Sequence, residues 1–522
     1  MNKDDRGTYL QELISQAKSG YEHYKKIFDK LNDAYLLLLE PEQLKSLKDR
    51  NKSKNYIPKL NAKAKRIYDG LTETYFNNDT FAKLEPYINS TNDVIDKWQS
   101  AIDHYCEQVN LYKIFAPIFL KSSFVASSIV KVYWQNNNLA IDEIDINDIY
   151  FDPNARNLSD IRFIAHKIYL TAEDIKELID KRIFKADYKL LSDKKPYERI
   201  ELYEVYELLK GKWQVSTIYE TTILRDGVAL KDGNPFVYGY MLPQVRSTKE
   251  ETYVCAYGEP ALASMIPLQD ELNVTRNSMT DVIRQQTAPK ILMNKTANVS
   301  RSDLERVGSP VYVDNPTAVQ VLPTGDIGGA MAALQNIENE MSEVSGVSPQ
   351  QNGAATTRRE TATMASIMAN EGSVRLQGYI RTYNETFFEP LFERIAFLVW
   401  KYGDPIFFAG FNRGEVPSFH VNLNTGIGAL NKEVQKQSLM DASQIIGAQF
   451  GLCLQTGDQQ GAERMKIANE KILLELLPLY GIKNPDDFIG KESELNAKFN
   501  QIEPAIPSMG QVAEQPIPTG FM

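Results

Sequence analysis

Two helical patterns that flank a short β-like insert constrain the fold of this 522-residue chain more than any other feature. The first pattern runs over residues 267–284 and begins at Pro267, a residue that suits the first turn of a helix. The second covers residues 328–345, where apolar residues recur at spacings of three, three, four and three. These residues are Met331, Leu334, Ile337, Met341 and Val344. The sequence therefore predicts two long helices that pack together, joined through a small β insert at 287–324.

The segments before this helix pair divide at about residue 120. Residues 8–115 are predicted to be helical, with Leu10, Ile14 and Tyr21 on one face. Residues 120–255 contain β-branched and aromatic runs separated by turn residues, which is typical of an α+β unit. The strand candidates are 124–134, 139–151, 201–209 and 213–224.

The segments after the helix pair are predicted to be mostly helical. A low-complexity loop at 346–357 precedes a long helix at 359–400. We expect kinks in this helix, since it contains Gly372, Gly378 and Pro390. The later predictions are a strand at 419–423, helices over 432–477 interrupted near Gly457, and a disordered tail at 501–522.

The composition excludes several functional classes. The net charge is −10, which argues against a protein that wraps nucleic acid for affinity. The three cysteines are far apart, so neither a disulfide framework nor a cysteine-based zinc site is expected. No phosphate-binding GxxxxGK[ST] loop occurs, and no apolar run is long enough for a signal core or a membrane span. We therefore expect a protein that is not an enzyme, needs no cofactor or metal and does not contact a membrane.

Two charged segments each allow two interpretations. Residues 307–357 contain no Lys or Arg, and Glu338, Glu340 and Glu343 place unpaired negative charge on the second helix. Repeated around a ring, they would form an acidic belt that repels phosphate; in one copy, they would only be a solvated face. Residues 45–66 carry nine basic residues and one acid. They could meet phosphate, although a solvated loop and helix start is the favoured interpretation.

A third charged segment, 142–152, is rich in acids. Asp142, Glu143, Asp145 and Asp148 could suggest a metal site, yet they lack the spacing and the central glycine of a calcium loop. A polar strand face is the favoured interpretation.

The order of several motifs resembles the portal proteins of tailed bacteriophages. The run EPALASMIPLQDELNVTRNSMTDVIRQQTAPKI, with Gln269, Asn273 and Asn277, is similar to the first stem helix of that family. The run EVSGVSPQQNGAATTRRETATMAS resembles the end of the family's second stem helix, its channel loop and its kinked helix. The run VNLNTGIGA resembles the entry to the family's crown. Upstream, LTETYFNNDTFAKLEP and NDIYFDPNARNLSDIRF are similar to its wing. The resemblance covers most of residues 55–480.

The resemblance implies a mixed, mainly α ring subunit with an α+β wing, a stem, a clip and a crown. The expected segments are an N-terminal helical part of the wing (1–119), an α+β wing (120–258), a first stem helix (259–286), a clip (287–327), a second stem helix (328–345), a channel loop (346–358), a kinked helix and strand of the wing (359–423), a crown (424–500) and the tail (501–522).

The resemblance also implies partners and a place in the virion. We expect a ring of twelve copies at one capsid vertex, through which double-stranded DNA passes during packaging and ejection. The terminase, tail or adaptor proteins, and capsid and scaffold proteins would dock on it. The protein would assemble in the host cytoplasm.

The resemblance assigns residues to two sites. Residues expected to face the channel are Glu338, Glu340, Glu343, Gln350, Gln351, Asn352, Arg358 and Arg359. Residues expected in the clip, which would meet the terminase and adaptor, are Lys290, Lys295, Arg301 and Arg306.

Two functions from other classes remain as alternatives. One is a nucleic-acid enzyme or its regulatory subunit that uses Asp142, Asp145, Asp148 and Asp152 to bind metal. The other is a helical scaffold protein that forms no ring.

Overall fold

The computed structural model describes most of the chain, in two compact units, Met1–Thr425 and Gly426–Met522. The described residues are 3–39, 41–49, 52–76, 82–86, 92–125, 127–185, 188–191, 193–245, 253–288, 291–293, 319–321, 325, 327–345, 375–411, 413–414, 416–423 and 432–479.

Helices form much of both units. They are α1 (Lys3–Tyr35), α2 (Pro41–Asp49), α3 (Lys59–Phe76), α4 (Asn92–Val109), α5 (Leu111–Ser122), α6 (Ala172–Asp180), α7 (Ile266–Thr287), α8 (Gly328–Ser345), α9 (Glu389–Tyr402), α10 (Lys432–Thr456) and α11 (Gln459–Leu479).

The described strands all pair antiparallel. They are β1 (Ala82–Pro86), β2 (Ser127–Gln135), β3 (Asn138–Glu143), β4 (Ile149–Phe151), β5 (Phe163–Thr171), β6 (Arg199–Leu209), β7 (Lys212–Tyr219), β8 (Thr222–Ala229), β9 (Phe236–Tyr240), β10 (Ile291–Met293), β11 (Val319–Val321) and β12 (Phe419–Leu423).

A five-stranded sheet and helix α1 share one hydrophobic core of the first unit. The strand order is β4-β5-β6-β7-β8. The apolar stripe that the sequence predicts on α1 is confirmed, since Leu10, Ile14 and Tyr21 are buried in this core. Tyr21 also donates from its hydroxyl to Asn147 Oδ1 at 2.7 Å. The N-terminal helix is thereby fixed to the sheet.

A three-stranded sheet, of order β3-β2-β9, contributes Ile129 and Phe236 to this core. Strands β2 and β3 are joined by Asn136 and Asn137, whose φ values of 51° and 60° are those of a two-residue hairpin turn. The segment predicted as one strand over 213–224 is instead two strands, since β7 and β8 are separated by a turn at Glu220 with φ 51°.

An aromatic cluster joins helices α3 and α5 to the segment 375–402. Tyr383, Phe387 and Phe388 are completely buried there. The helix at 375–383 widens into a π turn at Asn384–Phe388 before α9 begins. The sequence predicts a kink at Pro390, and the wide turn directly precedes it. Since proline lacks an N–H and clashes with the carbonyl four residues earlier, a wider turn at this point accommodates it.

The prediction of continuous helix over 8–115 is wrong at residues 82–86. These residues form β1, which pairs with β12 in a two-stranded sheet. The sequence of β1, AKLEP, contains no β-branched or aromatic residue, and its partner lies more than 330 residues away, so no local pattern indicates a strand. The strand predicted at 419–423 is confirmed.

The second unit is a helical hairpin of α10 and α11. The break predicted near Gly457 is confirmed, since Gly457 has φ +74° and separates the two helices. The tail predicted to be disordered, 501–522, lies outside the described residues.

Candidate functional site: the central helix pair

The two helices that dominate the sequence pattern pack against each other. Helix α7 spans Ile266–Thr287, and helix α8 begins and ends at the residues predicted, Gly328 and Ser345. Leu272 and Met279 of α7 are buried, as are Ile337 and Met341 of α8. The apolar stripe is confirmed in the middle of α8 but not at its start, where Met331 is 58% exposed.

The chain leaves this pair at both ends and returns to it. At one end, β10 and β11 form a ladder, and Gln286 Nε2 donates to the Gly325 carbonyl at 3.1 Å. At the other end, Arg375 Nη1 donates to the Glu343 carbonyl at 3.2 Å. Because carbonyls at a helix C-terminus lack helical partners, the Arg375 guanidinium suits this position. The described residues that flank 294–318 therefore lie close to one end of the helix pair, and those that flank 346–374 lie close to the other.

A ladder of polar side chains runs along α7 and holds residues 52–60, which we call the strap. Asp281 accepts from Ser53 N at 2.9 Å, and Asn277 Oδ1 accepts from Asn55 N at 2.9 Å. Further along, Asn273 Oδ1 accepts from Ile57 N at 2.9 Å, and Gln269 Oε1 accepts from Leu60 N at 3.0 Å. The amide groups also donate back, from Asn277 to the Asn55 carbonyl and from Gln269 to the Ile57 carbonyl, both at 2.8 Å.

The repeat of the ladder explains why it fits. Four residues of α-helix rise about 6.0 Å, and two residues of extended chain advance about 6.6 Å. Asp281, Asn277 and Asn273 of α7 therefore meet the backbone at every second position from 53 to 57. The last contact, from Leu60 N to Gln269, comes three residues later, where α3 has begun. Since each bond of this kind contributes about 1 kcal/mol net, the ladder fixes the strap firmly on α7.

The acids of α8 do not all face the same way. Glu338 Oε1 pairs with Lys59 Nζ of the strap at 2.8 Å, so the expectation of unpaired charge is wrong for this residue. Glu340 and Glu343 are exposed and form no ion pair within the described parts of the chain. At 3.6 residues per turn, they lie about 200° and about 140° around the helix from Glu338. They therefore point away from the strap.

The basic segment 45–66 lies on the strap and on the two helices beside it. Lys63 of α3 is buried, and burial together with the nearby Lys59 ammonium lowers its pKa to about 8. Other basic side chains of the segment are exposed and form no ion pair with any residue that the structure describes. They are Lys45, Lys48, Lys52, Lys54, Lys65 and Arg66.

The acids at 142–152 do not converge on one point. Lys121 Nζ bonds Glu143 at 2.7 Å and Asp145 at 3.2 Å, and Lys167 pairs with Asp148 at 2.7 Å. Burial opposes ionisation of Asp145, but the Asn147 amide and the Lys121 ammonium hold its pKa below the ordinary value.

The remaining two acids have partners of their own, since Asp142 accepts from the Tyr133 hydroxyl at 2.8 Å and Asp152 from Asn154 N at 2.9 Å. Across the described ranges, no group of three potential metal ligands occurs. These contacts do not favour the enzyme alternative.

Most of the residues that the resemblance assigns to the channel and the clip lie outside the described residues. Gln350, Gln351, Asn352, Arg358 and Arg359 of the expected channel loop lie outside the described residues. The same holds for the expected clip residues, which are Lys290, Lys295, Arg301 and Arg306.

The ladder is the feature that sequence reasoning missed. Its signal is present, since Gln269, Asn273, Asn277 and Asp281 recur every four residues. A polar stripe of this kind is typical of a solvent-facing helix side, whereas here Gln269, Asn273 and Asn277 are buried.

Comparison with known proteins identifies the family. The model of the Phage SU10 portal protein family matches residues 191–517, more than half of the chain. The chain belongs to this family of phage portal proteins, and its role is that of a structural portal component. No curated protein matches it.

The matched region contains the helix pair, the segments at its two ends and the helical hairpin of the second unit. The strap and α1 precede it, as do residues 71–86 and 147–163, whose sequences resemble parts of the portal wing. In the described part of the chain, no helix is long and apolar enough to cross a membrane.

Proposed function

We propose that this chain is the subunit of a homo-oligomeric ring at one capsid vertex, through which double-stranded DNA is packaged and ejected. The proposal rests chiefly on the helix pair within the matched region, with chain segments that leave and rejoin it at each end. In a ring, the pairs of successive copies would stand side by side and form the channel wall. The ring would contain twelve copies.

The two ends of the pair receive different roles in this proposal. Residues 287–327, with Lys290, Lys295, Arg301 and Arg306, would form the clip that meets the terminase and later the tail or adaptor proteins. Residues 346–358 would form the channel loop, with Gln350, Gln351, Asn352, Arg358 and Arg359 near DNA. Amide side chains can hydrogen-bond phosphates without the affinity that lysines gain from counterion release.

Of the three acids on α8, Glu340 and Glu343 suit the channel wall. Both are exposed and point away from the strap, whereas Glu338 is engaged by Lys59. The wall would therefore carry an acidic belt that keeps DNA from adhering during its passage. The chain itself would perform no catalysis, and capsid and scaffold proteins would surround the assembled ring.

Charge reversal on α8 tests this proposal. The variant Glu340→Lys plus Glu343→Lys should assemble normally but package less DNA per capsid. At about 4 Å, each lysine would add about 1 kcal/mol of attraction to a phosphate in water, and every copy repeats it. The control is Glu12→Lys plus Glu107→Lys, which makes the same charge change at exposed positions on α1 and α4. Packaging equal to that of the control would refute the acidic belt.

A further inference from the structure

The strap carries positive charge on a rigid backbone outside the segments assigned to the channel. The ladder binds the backbone of Ser53, Asn55 and Ile57. Lys52 directly precedes the first anchor and Lys54 lies between the first two, and both lysines are exposed. Because the backbone is already held, a ligand of these lysines would not have to order the chain on binding.

The spacing of these lysines allows both to contact one strand of a duplex. Residues two apart in an extended chain are separated by about 6.6 Å. Successive phosphates of one DNA strand advance by about 3.4 Å along the helix axis and lie further apart than this in space, so each of the two lysines can reach a separate phosphate. Lys65 and Arg66 on α3, with Lys45 and Lys48 on α2, add exposed positive charge near the two ends of the strap.

The chemistry of the strap favours a polyanion over a protein. Stable protein interfaces have apolar and aromatic centres and are depleted in lysine. Within the strap, Tyr56 and Ile57 are half-buried, so lysines dominate its outer side. Lysine contacts to phosphate, in contrast, need no apolar anchor.

The strap also lies on the opposite side of α8 from Glu340 and Glu343. Its Lys59 contacts Glu338, which projects from the helix in the other direction from those two acids. A surface on this side is distinct from the acidic side that the proposed function assigns to the channel wall.

We infer that the strap is a second nucleic-acid site, which binds the phosphate backbone of duplex DNA on the side of the helix pair away from Glu340 and Glu343. The choice of DNA rests on the proposed function, whereas the polyanion chemistry rests on the strap itself. Binding would be independent of sequence and would weaken steeply as the salt concentration rises.

The test uses the full-length protein and a covalently closed circular DNA duplex. A closed circle cannot be threaded through an assembled ring, so its binding reports a surface outside the channel. Binding is measured at about 50 mM and about 200 mM salt. The variants are Lys52→Gln plus Lys54→Gln, and a control with Lys210→Gln plus Lys212→Gln, two exposed lysines at the β6–β7 turn.

We expect the wild type and the control to bind the circle equally. Each phosphate contact contributes about 0.9 to the slope of log affinity against log salt. The slope measured for the strap variant should therefore be smaller in magnitude than that of the wild type by about 2. Raising the salt from about 50 mM to about 200 mM should then lower the affinity of the variant by a factor about ten times smaller than the factor for the wild type. A neutral variant, Asn277→Leu, releases Asn55 from the ladder without changing charge and should also weaken binding.

Three results would overturn the inference. They are absence of binding to the circle, equal salt slopes for the strap variant and its control, and binding of linear duplex alone. The first two would leave the strap as a solvated surface or an acidic-protein site, and the third would place all DNA contact in the channel. Light scattering on the same samples reports the ring separately, so failure of the proposed function is distinguished from failure of this site.

Discussion

Asn277 of the ladder on α7 is expected to make a measurable contribution to the free energy of unfolding. Its side chain is 8% exposed and bonds both the N–H and the carbonyl of Asn55. Asn277→Ala should lower the free energy of unfolding by about 1–3 kcal/mol, because two backbone groups lose their partners. Urea denaturation measures the change. The control, Asn339→Ala at an exposed position of α8, should be neutral or slightly stabilising. Equal effects at the two positions would contradict the ladder.

The surroundings of Glu204 predict that the stability of the protein depends on pH. Burial disfavours its charge, but contacts with His166, Lys131 and the Tyr206 hydroxyl hold its pKa well below the ordinary 4.5. Lys131 Nζ lies 3.1 Å and the Tyr206 hydroxyl 2.7 Å from Oε2, and Arg225 lies 3.6 Å from Oε1. Because the pKa is depressed on folding, this stabilisation is complete above about pH 4.5 and is lost as the pH falls further.

Glu204→Gln should therefore destabilise the protein by about 3 kcal/mol at pH 7, since it leaves the half-buried Lys131 and Arg225 without their carboxylate partner. The difference from wild type should shrink between pH 5 and about pH 3. Denaturation across this range measures it, with the exposed Glu107→Gln as control. A difference that stays constant with pH would show that the charge of Glu204 does not matter.

At the scale of residues, the sequence predicts which positions are polar but not what they bind. The four-residue repeat from Gln269 to Asp281 is plain in the sequence, yet its partners lie more than 200 residues away. The sequence predicts the acids at 142–152 as a polar strand face, but Asp145 and Asp148 lie at a short 3-10 helix instead of in a strand. Their partners, Lys121 and Lys167, have no sequence signal. Long-range hydrogen bonds leave no periodic pattern in the chain.

In the hairpin of α10 and α11, the turn between the two helices depends on one glycine, Gly457. Gly457 has φ +74°, a conformation that costs other residues about 1 kcal/mol or more. Gly457→Ala should speed amide hydrogen exchange in both helices of the full-length protein. Gly447→Ala is the matched control, since Gly447 lies within α10 with open space around it, and should slow exchange. Changes of the same sign would refute this role for Gly457.

Elements with a long apolar period were predictable. The bounds of α8 agree with the prediction at both ends, and α7 differs by one residue at its start and three at its end. Short strands are predictable only where their composition favours a strand, since β12 contains Phe419 and Val421 whereas β1 contains no β-branched or aromatic residue. The π turn at Asn384–Phe388 was indicated only through Pro390. Tertiary pairing decides such segments, and a local pattern does not record it.

At the scale of the whole molecule, the sequence predicts the class through the order of weak motifs, and the family match confirms that class. The arrangement of copies is not a property that one chain displays. The side of α8 that carries Glu340 and Glu343 acquires a role only if neighbouring copies enclose it. The central claim is therefore that this 59.2 kDa chain assembles into a ring.

The mass and shape of the purified particle test this claim most directly, by light scattering together with electron-microscope images of the same fraction. The expected result is annular particles with a central hole and a mass of twelve times 59.2 kDa. A particle of 59.2 kDa at every protein concentration, or a larger one without a hole, would contradict the ring and favour the helical scaffold instead.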